Sequence, residues 1–176
     1  MFENIAAIFF DLDGTLVDSV PDLTAAVNVM LHQLDLPARE EAQVRTWVGN
    51  GMNNLIHRAL TNDMAGRAGP ELFARAKALY RAAYAENLSV HSSLYPGARA
   101  GLAELRAAGW PMACVTNKPA EFALPLLDRL GIGRVDVYGD SYGTFLGQTF
   151  AIRHPDRVRT LTLDAAYPVA GQHPWY

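Results

Sequence analysis

An unbroken apolar run near the start of the chain constrains the fold more than any other feature. Residues 5–10 read Ile-Ala-Ala-Ile-Phe-Phe, and the run stops abruptly at Asp11. A strand with one exposed face alternates apolar and polar residues, whereas a continuous run is typical of a central parallel strand covered on both faces. The sequence therefore predicts a buried strand with an acidic residue directly after its carboxyl end.

Segments with the features of strands and of helices alternate after residue 91. Strands joined by single helices imply right-handed crossovers and a parallel sheet. We therefore predict an α/β fold with a parallel, Rossmann-like core of three layers. The predicted later strands are 111–115, 134–138 and 159–163, and the predicted helices lie within 95–109, 120–131 and 142–153.

The block from residue 19 to residue 91 has a helical pattern throughout. We assign its apolar stripes, with its tyrosines and methionines, to a core; two of these stripes are Leu23, Ala26, Val27, Met30, Leu31 and Leu34, and Leu72, Phe73, Ala76, Leu79, Tyr80, Ala83 and Tyr84. The prediction is an all-helical cap inserted after the first strand. The predicted domains are a core of residues 1–18 and 92–133, a cap of residues 19–91, and a βαβ unit of residues 134–176 that completes the sheet.

Composition narrows the classes of partner. The formal net charge is −3 and the chain has one cysteine, Cys114. This charge offers no basic surface for nucleic acid or membrane, and one cysteine forms no intrachain disulfide. We see no apolar stretch of about 20 residues that would span a bilayer. We expect a cytoplasmic protein with a small polar substrate, and the oligomeric state stays open.

The first chemical motif follows the first strand and reads Asp-Leu-Asp-Gly-Thr. Asp11 and Asp13 are spaced by two, so both carboxylates can face one cavity while Leu12 points into the core. Gly14 would allow a tight turn that brings backbone N–H groups toward an anion, and Thr15 adds a hydroxyl. The alternative is a pair of aspartates that cap a turn and have no chemical role.

This motif resembles the first motif of the haloacid dehalogenase superfamily, Asp-x-Asp-Gly-Thr after an apolar strand. Residues 1 to about 132 resemble the bacterial phosphoglycolate phosphatase branch, including "VDSVPDL" and "WVGNGM". The resemblance implies that Asp11 attacks phosphorus to form an aspartyl-phosphate, and that Asp13 protonates the leaving oxygen and then activates water. It also implies Mg²⁺ held by the Asp11 carboxylate and the Asp13 carbonyl.

Further site residues follow from the same resemblance. Thr116 stands at the end of the second core strand, where its hydroxyl and the N–H groups of Asn117 and Lys118 would bind phosphoryl oxygens. Lys118 would add positive charge, or it is a solvated loop lysine. Asn50, between two glycines in the cap, would approach the ester, or it belongs to a plain turn between helices.

The resemblance weakens after Ile132. The lysine of the family's third motif is missing at the expected distance, and "VDVYGDSYGTF" at 135–145 has two interpretations. Asp140 would be the later acidic ligand for Mg²⁺. Alternatively, Gly-Asp-Ser-Tyr-Gly is a nucleophile elbow with Ser141, because the segment from 134 resembles α/β-hydrolases of the aminopeptidase type. We interpret the chain as a chimera with a junction near residue 133.

Three functions remain open on the sequence. The first is a Mg²⁺-dependent phosphomonoester hydrolase acting on a small ester such as 2-phosphoglycolate, impaired if the later motifs are needed. The second is a serine hydrolase or peptidase fragment using Ser141, for which the chain offers no well-placed acid and histidine. The third is a chimeric protein without catalysis.

Overall fold

A computed structural model describes residues 8–110, 112–129, 135–140, 152 and 158–164. The chain divides into two compact units, each continuous in space but not in sequence. The first takes in residues 1–10, 100–115 and 131–176, and the second takes in residues 11–99 and 116–130. The predicted boundaries at residues 18, 91 and 133 stay predictions.

Parallel strands form the sheets of the first unit, as the sequence predicts. β1 (Ile8–Phe10) pairs in parallel with β4 (Met112–Cys114), and β5 (Val135–Asp140) pairs in parallel with β6 (Val158–Asp164). β5 also lies beside β4, the outer position that a short crossover favours. The helix predicted within 142–153 lies outside the described residues apart from Ile152.

The apolar run at the first strand is covered less completely than expected. Ile8 and Phe10 are half-buried, but the Phe9 side chain between them is 61% exposed. Successive side chains of a strand point to opposite faces, so one face of β1 is covered and the other is open. The prediction that both faces are buried is therefore wrong at Phe9.

Helices dominate the second unit. α1 (Val20–His32) has Pro21 in its first turn, where a missing N–H costs nothing. The other helices of residues 19–91 are α2 (Glu41–Trp47), α3 (Met52–Thr61) and α4 (Pro70–Glu86). A short antiparallel pair of strands, which the sequence analysis did not predict, flanks this helical segment: β2 (Val17–Asp18) and β3 (Ser93–Leu94). Two helices follow: α6 (Ala120–Arg129) belongs to the second unit, whereas α5 (Ala98–Ala107) lies mostly in the first.

The apolar stripes of these helices pack into one core. α1 contributes Leu23, Ala26, Val27, Met30 and Leu31, and α4 contributes Ala76, Tyr80, Ala83 and Tyr84. The assignment to the core is wrong for two residues, since Leu72 is 41% exposed and Met64 is 48% exposed. Leu72 lies in the first turn of α4, and Met64 lies in the connection after α3, so neither is enclosed by neighbouring helices. Among the described residues, no helix combines the length and hydropathy needed to cross a membrane.

Candidate active site

A tight turn directly after β1 presents the two aspartates. The Leu12 carbonyl accepts hydrogen bonds from the N–H groups of Leu16 and Val17, both at 3.0 Å, and Leu12 is fully buried. Gly14 adopts φ +83°, a left-handed conformation that favours glycine. Leu12 thus anchors the turn in the core while the flanking Asp11 is exposed and Asp13 is half-buried.

The residues of the first motif and of the segment after β4 meet at one cavity of about 50 Å³ in the second unit. Polar groups and apolar groups share its wall. The lining residues that the sequence predicts for the site are Asp11, Asp13, Thr116, Asn117 and Lys118, and those of the helices include Leu55, Tyr80, Tyr84 and Phe122. The fold therefore brings Asp11 and Asp13 next to residues that lie about a hundred positions later in the chain.

Lys118 is almost fully enclosed in the cavity. Its ammonium nitrogen lies 3.0 Å and 3.1 Å from the two carboxylate oxygens of Asp13, and its side chain is 3% exposed. Burial lowers the pKa of the Lys118 ammonium, and the Asp13 carboxylate opposes that shift. The alternative of a solvated loop lysine is wrong, because the cavity encloses this side chain.

Ser19 is a second partner of Asp13, and sequence reasoning did not assign it to the site. Its hydroxyl donates a hydrogen bond to a carboxylate oxygen of Asp13 at 2.5 Å, and the residue is fully buried. Ser19 also stands at the N-cap of α1, yet its side chain makes no capping hydrogen bond. A serine before a helix is normally interpreted as a cap, so its sequence position concealed the contact with Asp13.

Three of the predicted residues lie away from the cavity wall. Gly14 and Thr15 belong to the turn, and Asn50 directs its side-chain oxygen to an Arg58 N–H at 3.0 Å. The neighbours of Asn50, Gly49 and Gly51, do line the cavity. The Gly49 carbonyl accepts a hydrogen bond from the Asn117 side-chain amide at 3.3 Å. The loop thus approaches the site through glycine backbone, and the role assigned to Asn50 stays a prediction.

Aromatic rings close the cavity on the side of the helices. The Tyr84 ring meets the Phe122 ring edge to face at 4.9 Å and stacks on Tyr80 at 5.8 Å. Burial raises the pKa of both tyrosine phenols, so both rings are neutral near neutral pH. An apolar, neutral wall strengthens electrostatic interactions between the charged groups opposite it.

The donor set fits Mg²⁺ in part. Asp11 has one carboxylate oxygen bound to the Leu12 N–H at 2.7 Å, which leaves the second for other partners. Mg²⁺ prefers oxygen ligands and is often held by one or two carboxylates together with water and substrate phosphate. Within the described residues no cluster of three histidine, cysteine or acidic side chains is present. The Asp13 carboxylate is occupied by Lys118 and Ser19, which leaves its main-chain carbonyl for a metal.

The remaining predicted residues of the later segment cannot be placed in this site. Asp140 is the last residue of β5, but its side chain lies outside the described part of the chain. Ser141 lies outside the described residues altogether. The predicted metal ligand Asp140 and the predicted nucleophile Ser141 therefore stay predictions.

Comparisons with known proteins identify relatives of this chain. A family model for haloacid dehalogenase-like hydrolases matches residues 5–158, and so extends across the junction predicted near residue 133. Phosphoglycolate phosphatase of Nitrosococcus oceani is 49% identical over 132 residues, 75% of this chain and 59% of that protein. The corresponding enzyme of Neisseria meningitidis is 40% identical over 167 residues, 93% of this chain and 70% of that protein.

A solved structure extends the comparison to the fold. The crystal structure of a predicted phosphoglycolate phosphatase from Haemophilus somnus matches with a TM-score of 0.68 and 31% identity, over 93% of this chain and 64% of that one. The chain spans about three fifths of the length of the Nitrosococcus relative. The family match covers far more than half of its residues, and the chain belongs to the haloacid dehalogenase-like hydrolases.

Proposed function

We propose that this chain is a Mg²⁺-dependent phosphomonoester hydrolase that acts on a small ester such as 2-phosphoglycolate through an aspartyl-phosphate. The observation that carries the proposal is the meeting of Asp11, Asp13 and Lys118 at one small cavity. The names of the relatives support the substrate.

Asp11 is the proposed nucleophile. It is exposed, and one of its oxygens is held by the Leu12 N–H at 2.7 Å, so the other is free to face phosphorus. A carboxylate repels a phosphate dianion unless positive charge lies nearby. Lys118 supplies such charge from this chain, and Mg²⁺, held by the Asp11 carboxylate and the Asp13 carbonyl, would supply more.

Asp13 is the proposed acid and base. Before substrate binds, Lys118 and Ser19 hold its carboxylate beside the cavity. When a phosphate monoester enters as its monoanion, Asp13 takes the proton that the ester brings and passes it to the leaving oxygen, while the Lys118 ammonium stays beside Asp13 and faces the phosphoryl oxygens. Asp13 then takes a proton from the water that hydrolyses the acyl phosphate. The Thr116 hydroxyl and the Asn117 N–H bind the phosphoryl oxygens. The Lys118 N–H donates to the Thr116 hydroxyl oxygen at 3.2 Å and holds that hydroxyl in place.

The experiment measures release of inorganic phosphate from 2-phosphoglycolate with Mg²⁺. We expect turnover that falls by at least about 10³ on Asp11→Asn, because the amide is not a nucleophile. Asp35→Asn is the matched control, since Asp35 is exposed at a left-handed position that asparagine also accepts. Equal phosphate release from the wild-type chain and the Asp11→Asn variant would refute the proposal.

The hydrolase-like interpretation of residues 134–176 stays a separate prediction. Its support is the Gly-Asp-Ser-Tyr-Gly motif and the order in which a predicted strand, this motif, a predicted helix, His-Pro-Asp and a further predicted strand follow in the sequence. Labelling by a fluorophosphonate that is lost on Ser141→Ala would support the serine hydrolase and, with it, a chimeric origin. The absence of both labelling and phosphate release would favour the third alternative, a chimeric protein without catalysis.

A further inference from the structure

The ammonium group of Lys118 has a second partner besides Asp13. It lies 4.8 Å from the centroid of the Tyr84 ring, close enough for a cation–π contact. Tyr84 belongs to α4 of the helical segment, whereas Lys118 follows β4, so the contact joins two distant parts of the chain. Lys118 is therefore held between a carboxylate and an aromatic face.

The ring that receives Lys118 is itself fixed. Tyr84 is 1% exposed and its ring packs against the rings of Tyr80 and Phe122. Its hydroxyl is buried and has no hydrogen-bond partner among the described residues. The contribution of Tyr84 at this place thus comes from the ring face and its electrons, which a phenylalanine also has.

A lysine needs such a constraint more than a shorter residue does. Its four-carbon stem is flexible, and an ammonium can approach a carboxylate from many directions. A ring face attracts the cation along one direction, and the attraction strengthens where water is excluded. The carboxylate and the ring together therefore select one position for the ammonium.

We propose that Tyr84 is a positioning residue, whose ring holds the Lys118 ammonium against Asp13 and so couples the helical segment to the acid of the site. The effect on turnover rests on the proposed function, but the contact itself does not. Tyr84 acts through Lys118 and touches neither phosphorus nor the leaving oxygen.

Nuclear magnetic resonance tests the contact without an activity assay. The chain has only two lysines, Lys77 and Lys118, so ¹³Cε-labelled lysine gives two assignable sites. In the wild-type protein we expect Lys118 Hε signals shifted upfield by the ring, and a nuclear Overhauser effect to the Tyr84 ring protons. The absence of both would overturn the proposal, and this measurement needs no variant.

Two substitutions separate the ring from the hydroxyl. Tyr84→Phe should keep the Lys118 Hε shift, and Tyr84→Leu should abolish it. Phe73→Leu is the matched control, because the Lys77 ammonium lies 5.9 Å from the Phe73 ring. That control should move the Lys77 signals alone, and an unchanged Lys77 signal in Tyr84→Leu reports that the variant is folded. A Lys118 shift that survives Tyr84→Leu would overturn the proposal.

Kinetics then distinguishes positioning from simple support of the fold. If Tyr84 acts through Lys118, Tyr84→Leu should have a kcat about tenfold lower than that of Tyr84→Phe. In the Lys118→Met background, the same two variants should differ in kcat by less than about twofold. Equal losses in both backgrounds would assign Tyr84 a structural role and overturn the proposal. Absence of all turnover with the magnetic resonance contact intact would refute the phosphatase and leave the contact established.

Discussion

The Lys118 ammonium bridges both carboxylate oxygens of Asp13, at 3.0 Å and 3.1 Å, across 105 residues of sequence. An ammonium that is almost fully enclosed needs a partner of opposite charge, and a carboxylate so close to the proposed phosphate site needs its charge balanced. The pair meets both needs before any substrate arrives. It also explains why a residue that the sequence presents as an ordinary loop lysine is buried.

Replacing Lys118 by methionine tests this pairing. We expect phosphate release to fall about 100-fold, because Asp13 and the phosphate lose their nearest positive charge. The free energy of unfolding should fall by about 2 kcal/mol, less than for a fully buried pair because Asp13 is 16% exposed. Lys77→Met is the control, since Lys77 has no carboxylate partner among the described ion pairs. Turnover within threefold of the wild type would contradict the role given to Lys118.

Ser19→Ala should remove the other hydrogen bond that holds the Asp13 carboxylate. The Ser19 hydroxyl donates to Asp13 and does not cap α1, so the loss comes from that one hydrogen bond. We expect about 1 kcal/mol lower stability in urea unfolding and about tenfold lower kcat.

A double-mutant cycle with Asp13→Ala separates this contact from helix capping. In the Asp13→Ala background, Ser19→Ala should change the unfolding free energy by less than about 0.5 kcal/mol. An undiminished cost in that background would show that Ser19 stabilises the helix start instead.

The buried tyrosines predict a loss of stability at alkaline pH. Burial raises the pKa of the Tyr80 and Tyr84 phenols, whereas in the unfolded chain both ionise near pH 10. Stability that is fully present below pH 10 is therefore lost as the pH rises above it, by about 1.4 kcal/mol per pH unit for each tyrosine.

Tyr84→Phe isolates one of these two contributions. Between pH 9 and pH 11 the variant should lose about 1.4 kcal/mol less unfolding free energy than the wild type, as measured by urea denaturation at each pH. Phe73→Leu removes no ionisable group and should leave the difference between the two pH values unchanged. Identical pH dependence of the wild type and Tyr84→Phe would show that the Tyr84 phenol ionises in the folded state.

Replacing Asp22 should lower the free energy of unfolding through contacts that lie outside the candidate active site. This fully buried carboxylate, in the first turn of α1, accepts hydrogen bonds from the backbone N–H groups of His91 and Ser92, both at 2.8 Å, and from the Ser92 hydroxyl. Asp22→Ala removes three hydrogen bonds between a buried carboxylate and the partly exposed residues before β3, and should cost about 3 kcal/mol in urea unfolding. Asp35→Ala, at an exposed position, is the comparison. A loss below 1 kcal/mol at Asp22 would contradict this account.

Local patterns in the sequence predicted the elements of the fold well. The spacing of Leu23, Val27 and Met30 predicted a helix with one buried face, and the abrupt stop at Asp11 predicted an acidic turn after β1. Periodicity reports which face of an element is apolar, but not which element covers it. Phe9 has the apolar character of a core residue, yet its side chain is exposed because no described element covers that face of β1.

The sequence alone determined the helical block after the first motif, because helical periodicity depends on residues close together in the chain. Its alternation of strands and helices also indicated parallel pairing, even between strands as far apart as β1 and β4. Only the tertiary structure decided that Lys118 and Ser19 meet at Asp13 and that the Tyr84 ring lies over Lys118. Those contacts depend on packing between helices and loops far apart in sequence. A lysine, a serine before a helix and a core tyrosine each have a commoner interpretation when read alone.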